Sequence, residues 1–161
     1  AQISVFLITY SFLHHIVVSS ATVILAQEVV GQHLLKSIHG TYLRVNSSQD
    51  GIDVDLVPNV TDCARWFLEI RNTQLKFVPC CVRDQYLRTN ENGSIELGRS
   101  LETWIPSKNN DGSWSFRNYQ GELLIAGKNG SIYTLNEDLN DWGHFGLEPW
   151  TGFERVVECH T

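Results

Sequence analysis

Three stretches of this sequence can be written above one another, and that internal repeat restricts the fold more than any other feature. LKSIHGTYLRV (35–45), FVPCCVRDQYLRT (77–89) and FRNYQGELLIA (116–126) each open on an apolar residue, Leu35, Phe77 or Phe116. Each then passes through a polar turn and ends on an apolar pair: Tyr42-Leu43, Tyr86-Leu87 or Leu123-Leu124. A second element follows each time, GIDVDL, SIELG and SIYTL, with Ile52, Ile95 and Ile132 in matching places. A third closes each unit on an aromatic: Trp66, Trp104 or Phe145.

Matched positions lie 37 to 44 residues apart. Alternating apolar residues beside Gly, Asn and Asp read as short strands joined by tight turns, about four to a unit, and no helical period is sustained after residue 30. Four short strands cannot bury a core alone, whereas three such units around a pseudo-threefold axis can. The pattern therefore predicts an all-β domain over residues 33–150, a β-trefoil in which six strands close a barrel and six form hairpins capping one end. A propeller of three blades would leave its centre open, and an immunoglobulin-type sandwich would not explain three matching units. Ile52, Ile95 and Ile132 are expected to be buried at equivalent positions, and Leu43, Leu87 and Leu124 to superpose.

HGTYLRV, followed by GIDVDL and then Trp66, resembles the repeat of fascin-like β-trefoils, and amaranthin-type agglutinins are similar at this level. The likeness spans about residues 33–150, and the third unit departs from it, with ELLIA in place of YLR. The resemblance implies two opposed functions, cytosolic actin bundling by tandem trefoils and glycan binding at shallow surface sites.

The net charge of −6 and the scatter of only 12 Lys and Arg argue against nucleic acid and heparin-like polyanions, which need clustered cations. Residues 1–27 contain no Asp, Glu, Lys or Arg. Two readings of residues 1–26 compete: a secretory signal peptide cut after Ala21, or a retained membrane anchor in which Ile3 to Ala26, as a helix, contacts lipid or a transmembrane partner. A buried helix or first strand is a third. Asn-x-Ser/Thr acceptors stand at Asn46, Asn59, Asn92 and Asn129. The same Asn-Gly-Ser triplets at 92–94 and 129–131 also read as hairpin turns.

Cys63, Cys80, Cys81 and Cys159 are the four cysteines. Adjacent cysteines seldom bridge each other, so Cys63 and Cys159 are each expected to reach one member of the 80/81 pair, Cys159 pinning an extension over 151–161. Free thiols in a cytosolic protein are the alternative. The CxxC spacing of a zinc site is absent, and neither a metal nor a cofactor is expected.

No HExxH, GxSxG or GxxxxGK[ST] pattern occurs, and carboxylates such as Glu137, Asp138 and Asp141 cluster only in a turn-rich stretch. The chain reads as a binding module and not an enzyme. Two stretches mix an aromatic ring with Asn and Asp, the composition of a shallow glycan site. From 136–145 come Asn140, Asp141, Trp142 and His144; from 105–116 come Asn110 and Trp114. The competing reading makes both tryptophans structural and the Asn and Asp residues turn formers. The expectation is a secreted or membrane-tethered, extracellular or luminal module that binds a glycan. A protein-interaction trefoil, either a receptor ligand or a subunit of a membrane complex, is the alternative, with actin binding behind it.

Overall fold

The computed structural model describes residues 27–138 and 140–150. The leader 1–26 and the extension 151–161 with Cys159 lie outside them. Among the described residues there are twelve strands: β1 (Gly31–Ser37), β2 (Tyr42–Ser48), β3 (Gly51–Val57), β4 (Arg65–Arg71), β5 (Gln74–Pro79), β6 (Tyr86–Thr89), β7 (Ile95–Gly98), β8 (Ile105–Lys108), β9 (Trp114–Arg117), β10 (Leu123–Ala126), β11 (Ile132–Leu135) and β12 (Phe145–Pro149). One 3-10 turn, Asp62–Ala64, precedes β4. No helix among the described residues is long and apolar enough to cross a membrane.

Antiparallel pairing closes six strands into a ring. β1 pairs β4, β4 pairs β5, β8 pairs β9, β9 pairs β12 and β12 returns to β1. The remaining link, β5 to β8, is the bridge between Leu75 and Trp104, whose backbone N–H groups donate to each other's carbonyls at 2.8 and 2.7 Å. The other six strands form the hairpins β2–β3, β6–β7 and β10–β11. The chain is a β-trefoil with three pseudo-symmetric four-stranded units.

The core follows the repeat. Leu35, Phe77 and Phe116, then Leu43, Leu87 and Leu124, then Trp66, Trp104 and Phe145 are all fully buried. Phe77 meets Trp104 and Phe116 edge-on, at centroid separations of 6.1 and 5.0 Å, and Phe116 lies 6.2 Å from Phe145. Aromatic pairs in such geometry add about 0.5–1.5 kcal/mol beyond their area. Buried indole N–H groups need acceptors. Trp66 Nε1 donates to the Leu43 carbonyl (2.9 Å) and Trp104 Nε1 to the Leu87 carbonyl (3.1 Å), the same bond one unit apart. Phe145 occupies the third place without a donor.

One expected triplet is out of register. Ile95 and Ile132 are buried, but Ile52 is 46% exposed. Strand pairing shows why: Thr89 faces Ile95 and Ala126 faces Ile132, while the corresponding Val45 faces Val54. The first hairpin runs further, carrying Ser47, Ser48, Gly51 and Ile52 beyond the layer. A shift of two residues keeps the face of a strand but changes its depth, so alternation alone did not reveal it.

The third unit's departure from YLR also has a structural reason. Arg44 forms a cross-strand ion pair with Asp55, and Arg88 with Glu96, whereas the third unit places Ile125 opposite Tyr133. Ile125 is buried, and a Cβ added at Gly143 would lie 3.3 Å from its Cδ1. The loop before β12 thus folds over Ile125, where a charged side chain would be stranded.

Cys63 and Cys81 form a disulfide across 18 residues, with Cα atoms 5.3 Å apart, which bears out the expected reach of Cys63 to the 80/81 pair. Closing a loop of that length stabilises by about 3 kcal/mol in the chain-entropy account. Cys80 is disulfide-bonded as well.

Leu43→Ala, Leu87→Ala and Leu124→Ala should each cost about 2–5 kcal/mol in urea unfolding, because each removes the same buried contact. Ile52→Ala should cost no more than about 0.5 kcal/mol. A large loss at Ile52, or a small one at any of the three leucines, would break the equivalence.

Candidate functional site

The connection between β11 and β12 carries Asn140, Asp141, Trp142 and His144, and the turn between β8 and β9 carries Asn110. Both loops are fixed from within. The β8–β9 turn is closed by Asn109 N–H to the Ser113 carbonyl (2.8 Å), with Gly112 at φ 86° supplying the left-handed residue. In the β11–β12 loop, Gly143 N–H donates to Asp138 Oδ2 (3.0 Å) and His144 N–H to the Asp141 carbonyl (3.1 Å). A side chain at Gly143 would sit 2.8 Å from that Asp138 oxygen, so the bond requires glycine.

The loops meet at His144. Its Nδ1 lies 3.0 Å from Asp111 Oδ2, and its Nε2 lies 3.6 Å from Asp141 Oδ1 and 3.8 Å from Asp138 Oδ2. Below them, buried Ser115 donates its hydroxyl to the Gly143 carbonyl (2.9 Å) and accepts from Asn109 Nδ2 (2.9 Å). Asp111 also accepts from the hydroxyl and backbone N–H of Ser113, at 2.5 and 2.9 Å. The Ser113 hydroxyl first, and His144 after it, hold the Asp111 carboxyl well below the ordinary carboxylate range. Asp111 is thus a persistent acceptor and a poor proton donor.

Trp142 is half-buried beside this cluster, its ring 5.0 Å from that of His39 at an interplanar angle of 78°. His39 comes from the β1–β2 turn, and its Nε2 donates to the Ala126 carbonyl at 2.9 Å. The Trp142 carbonyl accepts from Ala126 N–H (3.0 Å). One strand end therefore holds the His39 ring and the Trp142 backbone. Next to this corner lies a shallow cleft of about 190 Å³ lined by Lys36, Ile38, Asp111, Ser113 and His144, with Ile38 exposed.

Of the six residues picked from the sequence, Asp141, Trp142 and His144 gather here together with the exposed Asn140, and exposed Asn110 adjoins Asp111 on the facing turn. Trp114 does not join them. It is 7% exposed, is paired with Phe145 in the barrel wall and has Lys108 Nζ 5.9 Å from its ring centre, so it offers no stacking face. Sequence reading missed Asp111 and His39. Asp111 was legible as the neighbour of Asn110, but His39 looked only like part of the HG-x-YLR turn. Asp138, Asp141 and His144 place ligand atoms within 4.8 Å of one another. Asp138 Oδ2 already accepts from Gly143 N–H and His144 Nδ1 already faces Asp111 Oδ2, while His144 Nε2 lies beyond hydrogen-bond distance of both carboxylates. The glycan acceptors Asn59, Asn92 and Asn129 are exposed and Asn46 is half-buried.

No protein-family profile matches the sequence, and no curated protein does. Solved structures do match. A mosquitocidal holotoxin aligns at TM-score 0.66 and 16% identity over 74% of this chain and 17% of its own. The GlcNAcα1-4Gal-releasing endo-β-galactosidase of Clostridium perfringens aligns at 0.64 and 18%, over 74% of this chain and 33% of its own. SeviL, solved bound to asialo-GM1 saccharide, aligns at 0.63 and 10%, over 74% of this chain and 98% of its own. The chain thus spans about a sixth of the toxin and a third of the galactosidase. At these identities the likeness establishes the shared fold.

Ser113→Ala should raise the Asp111 carboxyl toward the ordinary range in a carbon-detected NMR titration, and His144→Gln should raise it less. Unchanged Asp111 titration in Ser113→Ala would contradict the hydrogen-bond origin of its acidity.

Proposed function

We propose that this chain is a non-enzymatic saccharide-binding domain, with binding at the corner where the β8–β9 turn meets the β11–β12 loop. The observation that carries this reading is the pair of exposed acceptors about His144, Asp111 fixed by hydrogen bonds from Ser113 and His144 and Asp141 at 3.6 Å from the His144 ring, beside the half-buried Trp142 ring. Sugar recognition needs both parts. Ring C–H groups pack on an aromatic or aliphatic surface, and hydroxyls donate to acceptors that are already in place and lose little entropy on binding. Trp142 and exposed Ile38 supply the first, the carboxylates the second.

SeviL, whose fold this chain shares along nearly the whole of SeviL's length, binds a saccharide, and that supports the reading at a coarse level. The endo-β-galactosidase shares only a third of its length with this chain. Glycoside hydrolysis requires a carboxylic acid able to give up a proton opposite a second carboxylate. Asp111, held ionised, is unsuited to that role, which favours binding over catalysis. Extracellular or luminal location is part of the proposal, supported by the Cys63–Cys81 disulfide and by exposed acceptors at Asn59, Asn92 and Asn129.

A glycan array probed with the full chain tests the reading. Binding to at least one saccharide class is expected, reduced roughly tenfold or more in Asp111→Asn and in Trp142→Ala, about 1.4 kcal/mol each. Thermal melts of the same variants separate lost binding from lost folding. An array without signal, or folded variants that bind like the parent, would overturn the proposal.

A further inference from the structure

The three units meet at three seams, and the repeat makes residues at those seams equivalent. Three residues before Trp66, Trp104 and Phe145 stand Cys63, Leu101 and Trp142; four residues after Leu35, Phe77 and Phe116 stand His39, Cys81 and Gln120. In the seam between the first and second units this pair is the Cys63–Cys81 disulfide. Between the third and first it is the ring contact of Trp142 with His39 at 5.0 Å. Between the second and third it is Leu101 and Gln120, which can form neither link. Here a cleft of about 350 Å³ opens, within the range of small-ligand pockets.

This cleft is built and not merely left open. Tyr119, on the β9–β10 turn, lines it and is 76% exposed. The turn beneath that ring is rigid: fully buried Asn118 accepts at Oδ1 from Gln120 and Glu122 N–H (3.0 and 2.9 Å), and its Nδ2 donates to Glu122 Oε1 (3.0 Å) and Thr89 Oγ1 (3.2 Å). Such a ring loses little freedom when a ligand stacks on it. On the other wall, Glu102 Oε2 accepts from Thr89 N–H, while Oε1 is buried and has no hydrogen-bond partner. An acceptor withdrawn from water and left unpaired costs free energy until a donor arrives. Burial pushes the Glu102 carboxyl up from its ordinary value, as expected of an under-solvated acid. Ser100 and Thr103 add hydroxyls to the lining.

The charges select the ligand. Glu102 disfavours an anion, and the charge of Arg88, which also lines the cleft, is met by Glu96. A neutral molecule rich in hydroxyls suits both walls. We propose that the seam between the second and third units is a second saccharide site, in which one pyranose ring stacks on Tyr119 and a ring hydroxyl donates to Glu102. The proposal rests on the reading of the chain as a saccharide binder, but it concerns a different seam from the Trp142 corner.

Amide NMR titration of the full chain with methyl glycosides of galactose, mannose and N-acetylglucosamine tests it. Saturable shifts are expected at Thr89, Ser100, Thr103 and Tyr119. Tyr119→Ala should weaken that set roughly tenfold, Tyr119→Phe should restore it, and neither should move any response at Asp111 and His144. Because Tyr119 is exposed, both variants should keep the parent's stability. Glu102→Gln, nearly identical in shape, should also weaken the set. Shifts at the Trp142 corner alone overturn the second site and leave the function standing; shifts at the cleft alone support it and remove the corner. No shifts with any glycoside, or a cleft response indifferent to Tyr119→Ala, overturn it.

Discussion

Closure of the six-stranded ring is the constraint from which the rest of the structure follows. None of the three units has enough apolar surface to bury by itself. The edge-to-face run of Phe116 on Phe77 and Phe77 on Trp104 joins the second unit to the third, and β1 and β4 of the first unit complete the ring around it. The ring also removes open strand edges that would otherwise invite aggregation. β12 meets β1 over five residue pairs, His33 to Ser37, so the last described strand completes what the first begins. In this architecture the barrel is committed to packing, and variation is free to accumulate where the units touch one another at the surface.

That division accounts for how a nearly symmetric core carries an asymmetric surface. The buried triplets are close copies, but the seams have been filled in three ways: a covalent staple, a pair of rings and an open cleft. The asymmetry reaches into the strands beneath. Where the β11–β12 loop lies over the hairpin, the arginine of the first two units has become Ile125, because a guanidinium there would lose both water and its carboxylate partner. Surface chemistry and strand sequence have changed together in the third unit, which is why ELLIA stands there in place of YLR.

Much of the core was legible in the sequence, because apolar alternation and a period near 40 residues report the same physical fact, a face buried three times. Leu43, Leu87 and Leu124 fell where the repeat put them. Ile52 did not, since alternation fixes which face a residue takes and is silent on where a hairpin leaves the barrel. Trp114 was misleading for a related reason: an aromatic ring among Asn, Asp and Ser looks like a sugar platform, and only pairing with Phe145 reveals it as barrel wall. The corner was half visible. Asp141, Trp142 and His144 are neighbours in sequence, but His39 and Asp111 arrive from other units, and the contact that unites them is a product of closure. Tyr119 and Glu102 carried no local signal, since what sets them apart is the empty seam between them.

On the proposed function, this trefoil recognises saccharides at the seams between its units and not at the ends of its barrel. A crystal structure of the full chain, soaked with the saccharide retained most tightly on the array, decides it. The expected result is sugar density at the Trp142 corner, in the cleft between Tyr119 and Glu102, or in both, with a pyranose face against an aromatic ring and hydroxyls within hydrogen-bond reach of the carboxylates. Sugar bound at the mouth of the barrel or on an outer hairpin face, with both seams empty, would contradict it.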